Sequence, residues 1–306
     1  MRKLAASLFI LFFAFTAKAQ QRPTGPLFMG TAYGWNPAMT APWNYLEVGA
    51  SYIQQWNGFD QAPRQMLLGL QYPFESFNSS LGLQLLRDET GPLSATGINF
   101  SYAYHIPTGY NSRLSIGLSA RAEQFRYDPS SELVADLMDP LLFTDIASTQ
   151  HLNFGAGVFF RTADMDNWLE SHFFAGLSLQ QALPSDLLLT ENSQSINFER
   201  IWHGYALVGY RFVSDQLFFE PSAQLDYVYP NIYLPRFNFH LESSDSFWAS
   251  LSIDGRFASS IQAGFIIDTR NYWQIRLGVF GTFQLSQQNQ VLGNSYGSFG
   301  AYRFER

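Results

Sequence analysis

The stretch Leu152-Asn153-Phe154-Gly155-Ala156-Gly157-Val158-Phe159-Phe160 puts Leu152, Phe154, Ala156, Val158 and Phe160 on one parity and Asn153, Gly155 and Gly157 on the other. Successive side chains of a strand point to opposite faces, so this segment has one apolar face and one small, polar face. Trp273, Ile275, Leu277 and Val279 alternate in the same way with Gln274, Arg276 and Gly278. So do Leu114, Ile116 and Leu118 with Ser115, Ser119 and Arg121, and Phe247, Ala249, Leu251 and Ile253 with Ser250, Ser252, Asp254 and Arg256. A soluble β-sandwich also alternates, but its exposed face carries many Lys and Glu. Here the polar face is mostly Gly, Ser, Asn and Gln, and no lysine follows Lys18. The pattern is that of an all-β, antiparallel transmembrane β-barrel, apolar toward lipid and polar toward a lumen.

From Tyr45 onward the pattern recurs over 45–55, 64–73, 79–88, 93–105, 112–126, 150–162, 169–181, 201–213, 216–228, 231–242, 247–257, 260–269, 272–283 and 296–304. That predicts about 14 strands, an even number as in bacterial single-chain barrels. The three longest connections are the fifth (Tyr127 to Gln150), the seventh (Ala182 to Arg200) and the thirteenth (Gln284 to Ser295). All three are odd, as a barrel with both termini in the periplasm and its long loops outside requires. The fifth mixes Glu132, Asp136, Asp139 and Asp145 with Leu133, Val134, Leu137, Met138 and Phe143. It is too apolar for a solvated tail and is read as folded into the lumen or as a patch for a partner.

Arg2 and Lys3, the apolar run Leu4 to Phe15 and Ala17-Lys18-Ala19 make residues 1–19 a secretory signal peptide. The run is about a dozen residues, whereas a helix crossing a bilayer needs about 20. Residues 20–44 hold Pro23, Pro26, Pro37 and Pro42 and cannot form a regular strand. They are read as an N-terminal periplasmic or plug segment preceding the barrel of 45–306. Aromatic residues are 17% of the chain and charged residues 14%, against about 25% charged in soluble domains. With no cysteine, disulfides and thiolate metal sites are excluded. A net charge of −7 without a basic cluster excludes nucleic acid as a partner. The expected location is the outer membrane, as a multi-pass β-barrel in contact with outer-membrane lipid after signal-peptide cleavage.

Chemistry is sparse. His105, His151, His172, His203 and His240 stand singly, without metal-ligand spacing. Gly155, Gly157, Gly176, Gly264, Gly278 and Gly281 lie within strands and are read as relieving crowding on the lumen face, not as a phosphate cradle. No catalytic residue, metal or cofactor is predicted. Arg121, Glu123, Arg161, Glu220, Asp226, Arg256 and Arg276 are all placed inward by parity. They are read as pairing across the lumen or as a selectivity ring for a small solute. Trp56 to Pro63 is the most specific local feature, since Asn57-Gly58 favours a tight turn and Pro63 restricts the residue before it. It is read either as a rigid hairpin cap or as presenting Trp56 and Phe59, beside Pro63, as aromatic anchors for a partner. Trp35, Asn36 and Pro37 are the matching candidates on the periplasmic side, or else set the chain's entry into the barrel.

Phe28-Met29, Trp35-Asn36-Pro37-Ala38, Gln55-Trp56, Gly58-Phe59 and Ala62-Pro63, with the closing Gly297-Ser298-Phe299-Gly300-Ala301-Tyr302-Arg303-Phe304, resemble the PorP/SprF family of the Bacteroidetes type IX secretion system. In that family an NPA element precedes the first strand and a QW-x-GF-x-x-AP element marks the first hairpin connection. Ile53 and Gln54 stand where many members carry a basic residue, and Glu305-Arg306 follow the last aromatic. The resemblance implies a 14-stranded outer-membrane accessory protein, not an enzyme, that helps export or surface attachment of adhesin-like cargo through protein contacts. Its implied partners are a type IX secreted adhesin or other cargo, and periplasmic secretion or gliding motility components. The polar lumen face and the strand number carry the competing expectation, an outer-membrane diffusion channel or transporter for small solutes.

Overall fold

The computed structural model describes residues 29–56, 61–109, 111–128, 147–166, 170–183, 186–191, 194–199, 201–268, 273–284 and 294–305. The strands are β1 (Tyr45–Gln54), β2 (Arg64–Phe74), β3 (Ser79–Thr90), β4 (Leu93–Gly109), β5 (Ser112–Tyr127), β6 (Ala147–Arg161), β7 (His172–Gln180), β8 (Asp186–Glu191), β9 (Gln194–Glu199), β10 (His203–Ser214), β11 (Leu217–Val228), β12 (Ile232–Ser243), β13 (Phe247–Asp254), β14 (Ala258–Asp268), β15 (Trp273–Gln284) and β16 (Ser295–Glu305). All but β8 and β9 form one closed antiparallel barrel, sealed by β1 pairing with β16 from Tyr45↔Glu305 to Gln54↔Tyr296. These 14 strands are those the alternation predicts. The separate β8–β9 hairpin lies in the seventh connection; Leu187-Leu188-Leu189 shows no alternation by which to foresee it.

The two faces divide as parity dictates. Leu118, Leu152, Phe154, Leu177 and Val279 are exposed on the outside, while Gln84, Asn99, Ser101, Asn153, Gln224 and Gln262 are buried within. Leu118 is 61% exposed near the middle of β5. Leu118→Arg is expected to destabilise the inserted barrel by about 2–4 kcal/mol, the cost of a cation near the bilayer midplane. Reversible unfolding from phospholipid vesicles measures it.

Closing a barrel requires stagger between strands, and at the end carrying the odd connections, the loop end, much of it falls at one junction. β5 and β6 pair without a break from Arg113↔Arg161 to Tyr127↔Ala147. β6 and β7 pair only from Arg161↔Phe174 to Ala156↔Leu179, because β7 stops at Gln180. The first residues of β6 therefore rise beyond their neighbour.

The strand expected over 247–257 stops at Asp254. Its Oδ1 accepts the N–H groups of Arg256 (2.9 Å) and Ala258 (2.9 Å), a turn that an Asp side chain favours, and Phe257 takes a φ of 60°. Arg256, expected in the lumen, is thus exposed in the β13–β14 turn and pairs with Asp254 at 2.9 Å. The apolar residues of the fifth connection, Phe59 and the signal peptide lie outside the described residues.

Candidate functional site

The lumen is the place where polar chemistry converges, and residues 29–44 run through it as two short 3-10 turns, Met29–Gly34 and Pro37–Met39. The second turn follows from Asn36-Pro37. Pro37 supplies a preset φ and lacks only an N–H that the first turn would leave without a partner, while Asn36 Oδ1 accepts the Ala38 N–H at 3.0 Å. The other end of the same amide reaches the wall, Asn36 Nδ2 donating to Val158 O of β6 at 3.2 Å. Thr40 Oγ1 donates to Pro37 O (2.7 Å) and lies 2.9 Å from Ser101 Oγ of β4.

More wall groups hold this segment. Tyr33 donates to Leu83 O of β3 at 3.0 Å, and Arg121 of β5 donates to Gly34 O at 3.1 Å. Ser178 and Gln180 of β7 both donate to Trp35 O, at 2.7 and 3.1 Å. Ala32, Ala38 and Met39, with Trp35, pack on Phe159, Phe174 and Leu207 of β6, β7 and β10. Glycine makes the seat possible. Gly117 and Gly157 face each other across β5 and β6; a Cβ on Gly117 would overlap the Pro37–Ala38 backbone, and one on Gly157 would overlap Asn36 Oδ1.

Across the lumen the wall carries buried ion pairs toward the end holding the chain terminus, the terminus end. Arg211 of β10 pairs with Glu220 of β11 at 2.7 Å. Glu242 of β12 accepts from Arg276 of β15 (3.2 Å from Nη1, and a shorter bond from Nη2) and meets His240 Nε2 at 2.9 Å. Glu47 of β1 accepts from Arg303 Nε of β16 at 2.5 Å and from Gln71 at 2.9 Å, and Gln71 in turn accepts the Ala41 N–H at 2.7 Å. Gln71 therefore ties the lumen segment to the pair that seals the barrel. Arg161 is fully buried; its Nε donates to Ala163 O (3.0 Å) and its guanidinium lies 4.5 Å over the Trp43 ring, although Nη1 and Nη2 have no partner among the described residues.

Where the lumen segment joins β1, Asn44 binds the β6–β7 connection, its N–H to Met165 O (3.3 Å) and its side chain to Asp166 (3.0 Å). Asp164 in that connection binds Arg113 of β5. Burial pushes the Asp164 carboxyl up, but the bond from Arg113, the Met165 N–H and the charges of Arg113 and Arg161 outweigh it and hold the group below its ordinary range. A depressed folded-state value stabilises above the unfolded-state value and is lost as pH falls through the folded one. Acidification to about pH 4 and below is therefore expected to raise amide exchange at Met165 relative to its intrinsic rate at the same pH. Asp164→Asn is expected to speed it at neutral pH, and exchange measured across a pH series checks both.

Of the residues singled out from sequence, Arg121, Glu123, Arg161, Glu220, Asp226 and Arg276 face the interior. Arg121 lies 3.5 Å from Glu123, and Asp226 lies 4.0 Å from Arg236. Asn36 and Pro37 are fully buried in the lumen, so they touch the wall and not the periplasm. Trp56 is half-buried with a φ of 53°, and Pro63 is buried, its carbonyl accepting the Gln55 N–H at 2.9 Å. Sequence reasoning missed Glu47, Arg211, Arg236, Glu242 and Arg303, although each has the inward parity of its strand.

A comparison with protein-family models matches residues 17–302 to the family described as Type IX secretion system membrane protein PorP/SprF. The chain belongs to the PorP/SprF family. As a PorP/SprF protein it is an outer-membrane barrel with a role in type IX secretion, acting with components of that system. The Asn36-Pro37-Ala38 element of the PorP/SprF chain is the capped turn that meets Gly117 and Gly157. A comparison with curated proteins gave no match. Among solved structures the CymD monoaromatic hydrocarbon channel superposes with a TM-score of 0.56 at 11% identity, over 90% of this chain and 93% of that one. The Pseudomonas putida toluene transporter TodX gives 0.56 at 7%, over 90% and 93%, and a Pseudomonas aeruginosa FadL homologue 0.51 at 11%, over 88% and 91%. At such identities the likeness is one of fold.

Proposed function

We propose that this PorP/SprF protein is a plugged accessory barrel that helps export or surface attachment of adhesin-like cargo through protein contacts, without catalysis and without an open diffusion path. The observation that carries the reading is the filled lumen: residues 31–44 are bonded to β2 through β7, and buried ion pairs line much of the remaining wall. In this reading the mature chain follows Ala19 and the segment 20–44 is the plug. Trp56, Phe59 and Pro63 belong to a loop-end surface for exported cargo, and the inward charges brace the wall. The inward charges that a solute path would offer are taken up within the wall, Glu47 by Arg303, Glu220 by Arg211 and Glu242 by Arg276. The test is affinity purification from detergent-solubilised outer membranes with mass spectrometry of bound proteins, joined to planar-bilayer conductance. Recovery of a secreted or periplasmic partner with a closed baseline supports the proposal. A clean monomer with wide, partner-independent conductance overturns it in favour of a channel.

A further inference from the structure

On the outer wall of β1, β2 and β3, apolar side chains give way to charge within one step of the strand register near the loop end. β2 pairs with both neighbours, so the outward side chains lie in level rows. Ala50, Leu68 and Leu85 form one row, Tyr52, Met66 and Arg87 the next, and Gln54, Arg64 and Glu89 the third. The hydroxyls of Tyr52 and Tyr296 both donate to Gln54 Oε1, at 3.1 and 3.0 Å. Tyrosines in such a place mark the level where hydrocarbon meets headgroups. The third row therefore stands in the headgroup layer of the outer leaflet.

Below that level the wall is hollow. Ala50 pairs with Gly300 and Tyr52 with Ser298 across the β1–β16 seam, so small residues floor a groove of about 570 Å³ that is walled by Met66, Leu68 and Leu85 and reaches Arg87. Sites for a single small ligand span about 300–1,000 Å³. The groove is open, with Met66, Leu68 and Leu85 at 49%, 48% and 44% exposure and the Arg87 side chain at 60%. Arg87 directs Nε and Nη2 at one oxygen of Glu89, both at 2.7 Å, and no described residue takes its Nη1. Arg64 is exposed in the row above and has no partner among the described residues. Asp88 has inward parity and accepts from Gln65. Two cations thus stand against one carboxylate, on a chain whose net charge is −7. An apolar trough ending in two guanidinium groups has the order of an anionic lipid, chain first and then head, and guanidinium matches phosphate in geometry as well as charge. A second hollow of the outer wall, between Leu118, Leu177 and Leu225, has no charged residue in its lining. It accepts a chain but offers a head nothing.

We propose that the groove over Ala50 and Gly300 is a binding site for a phosphorylated lipid of the outer leaflet, of the lipid A class, with one acyl chain along Met66, Leu68 and Leu85 and a phosphate at Arg64 and Arg87. Glu89 fixes the Arg87 guanidinium by holding Nε and Nη2, which leaves the Nη1 edge for the phosphate. Because the groove crosses the seam between the first and last strands, the bound lipid bridges the two ends of the sheet. A ligand held only by the closed barrel stabilises that closure.

The test is binding of lipid A to the full-length barrel, purified from outer membranes and delipidated in detergent, with native mass spectrometry for stoichiometry and a fluorescent lipid A for affinity. One lipid A per barrel is expected, and dephosphorylated lipid A should bind more weakly by about tenfold or more, the scale of one hydrogen bond to a charged group. Millimolar inorganic phosphate, which lacks the chain, is expected to leave the lipid in place. Arg64→Gln with Arg87→Gln should reproduce the loss caused by dephosphorylation. Ala50→Phe, which fills the groove from a lipid-facing position, should weaken both lipids alike. Arg126→Gln removes an exposed loop-end cation of β5 and is expected to bind as wild type does. Heat-modifiable electrophoresis checks that each variant is a folded barrel. Should a variant fail to insert, the wild-type protein still decides the matter. Equal binding of the two lipids, or displacement by inorganic phosphate, overturns the site. So does an equal loss in Arg126→Gln, which would make the attraction one of general charge.

Discussion

Glu242→Leu is expected to destabilise the barrel by about 3–5 kcal/mol, the cost of leaving a buried cation without its partner, and to do so more than any other single change among the lumen ion pairs. Glu242 receives both terminal nitrogens of Arg276 and also faces His240. Its charge is felt by Arg211 and Arg303 as well. Removing it leaves three arginines with Glu220 and Glu47 alone. Attraction inside a barrel is offset by the cost of stripping water from both ions, so the pair as a whole contributes far less than its breakage costs. Glu242→Leu with Arg276→Met should therefore recover most of the loss. Urea midpoints for folding into vesicles measure all three proteins. A single variant within about 1 kcal/mol of wild type, below the range for breaking a buried pair, would show that water reaches this end of the lumen freely.

Parity carried much of what sequence could say, and its limits are physical. It places Arg121, Glu123, Arg161, Glu220, Asp226 and Arg276 inside because side-chain direction depends only on odd or even position while a strand runs unbroken. It fails at Arg256, where Asp254 recruits two backbone N–H groups and ends the strand three residues early. Pairing is another matter. Arg211 and Glu220 lie across one hairpin, but Arg276 and Glu242 meet across the lumen from β15 to β12, and Glu47 meets Arg303 only because the sheet closes. Those partners depend on register around the whole ring, which no local pattern encodes. The step at β6 has the same origin, being stagger that closure imposes and that no single strand displays. Gly157 and Gly176 were legible as relief of crowding; what they make room for required the path of residues 33–40.

That path yields the second large effect. Gly117→Val with Gly157→Val is expected to unseat the lumen segment while leaving the barrel inserted. Both substitutions suit a strand, since β-branched residues pack well on a pleated surface. Both fail at the seat: the atoms a Gly117 side chain would meet are backbone of Pro37 and Ala38, which cannot rotate away, and at Gly157 the obstacle is the oxygen that caps the turn. Overpacking of this kind costs about 1–3 kcal/mol per site, roughly a 5- to 140-fold rise in the open fraction for either substitution alone and a larger one for the two together. A cysteine placed at Ser101, which is buried behind Thr40 and introduced into a chain with no cysteine of its own, should react with a polar maleimide faster in that proportion. Gly49→Ala serves as the control, because a Cβ there meets its nearest neighbour at an ordinary 3.6 Å. Conductance then divides the possible roles of the segment. If current appears with labelling, the wall behind it can pass solute and residues 29–44 act as a gate. If labelling rises and the bilayer stays silent, the ion pairs of β10 to β16 close the lumen by themselves, and the seat is built to hold the Asn36-Pro37-Ala38 turn as a structural strut. Loss of the inserted barrel would make the segment part of the core, the means by which a wall rich in glycine on β5, β6 and β7 acquires something to pack against.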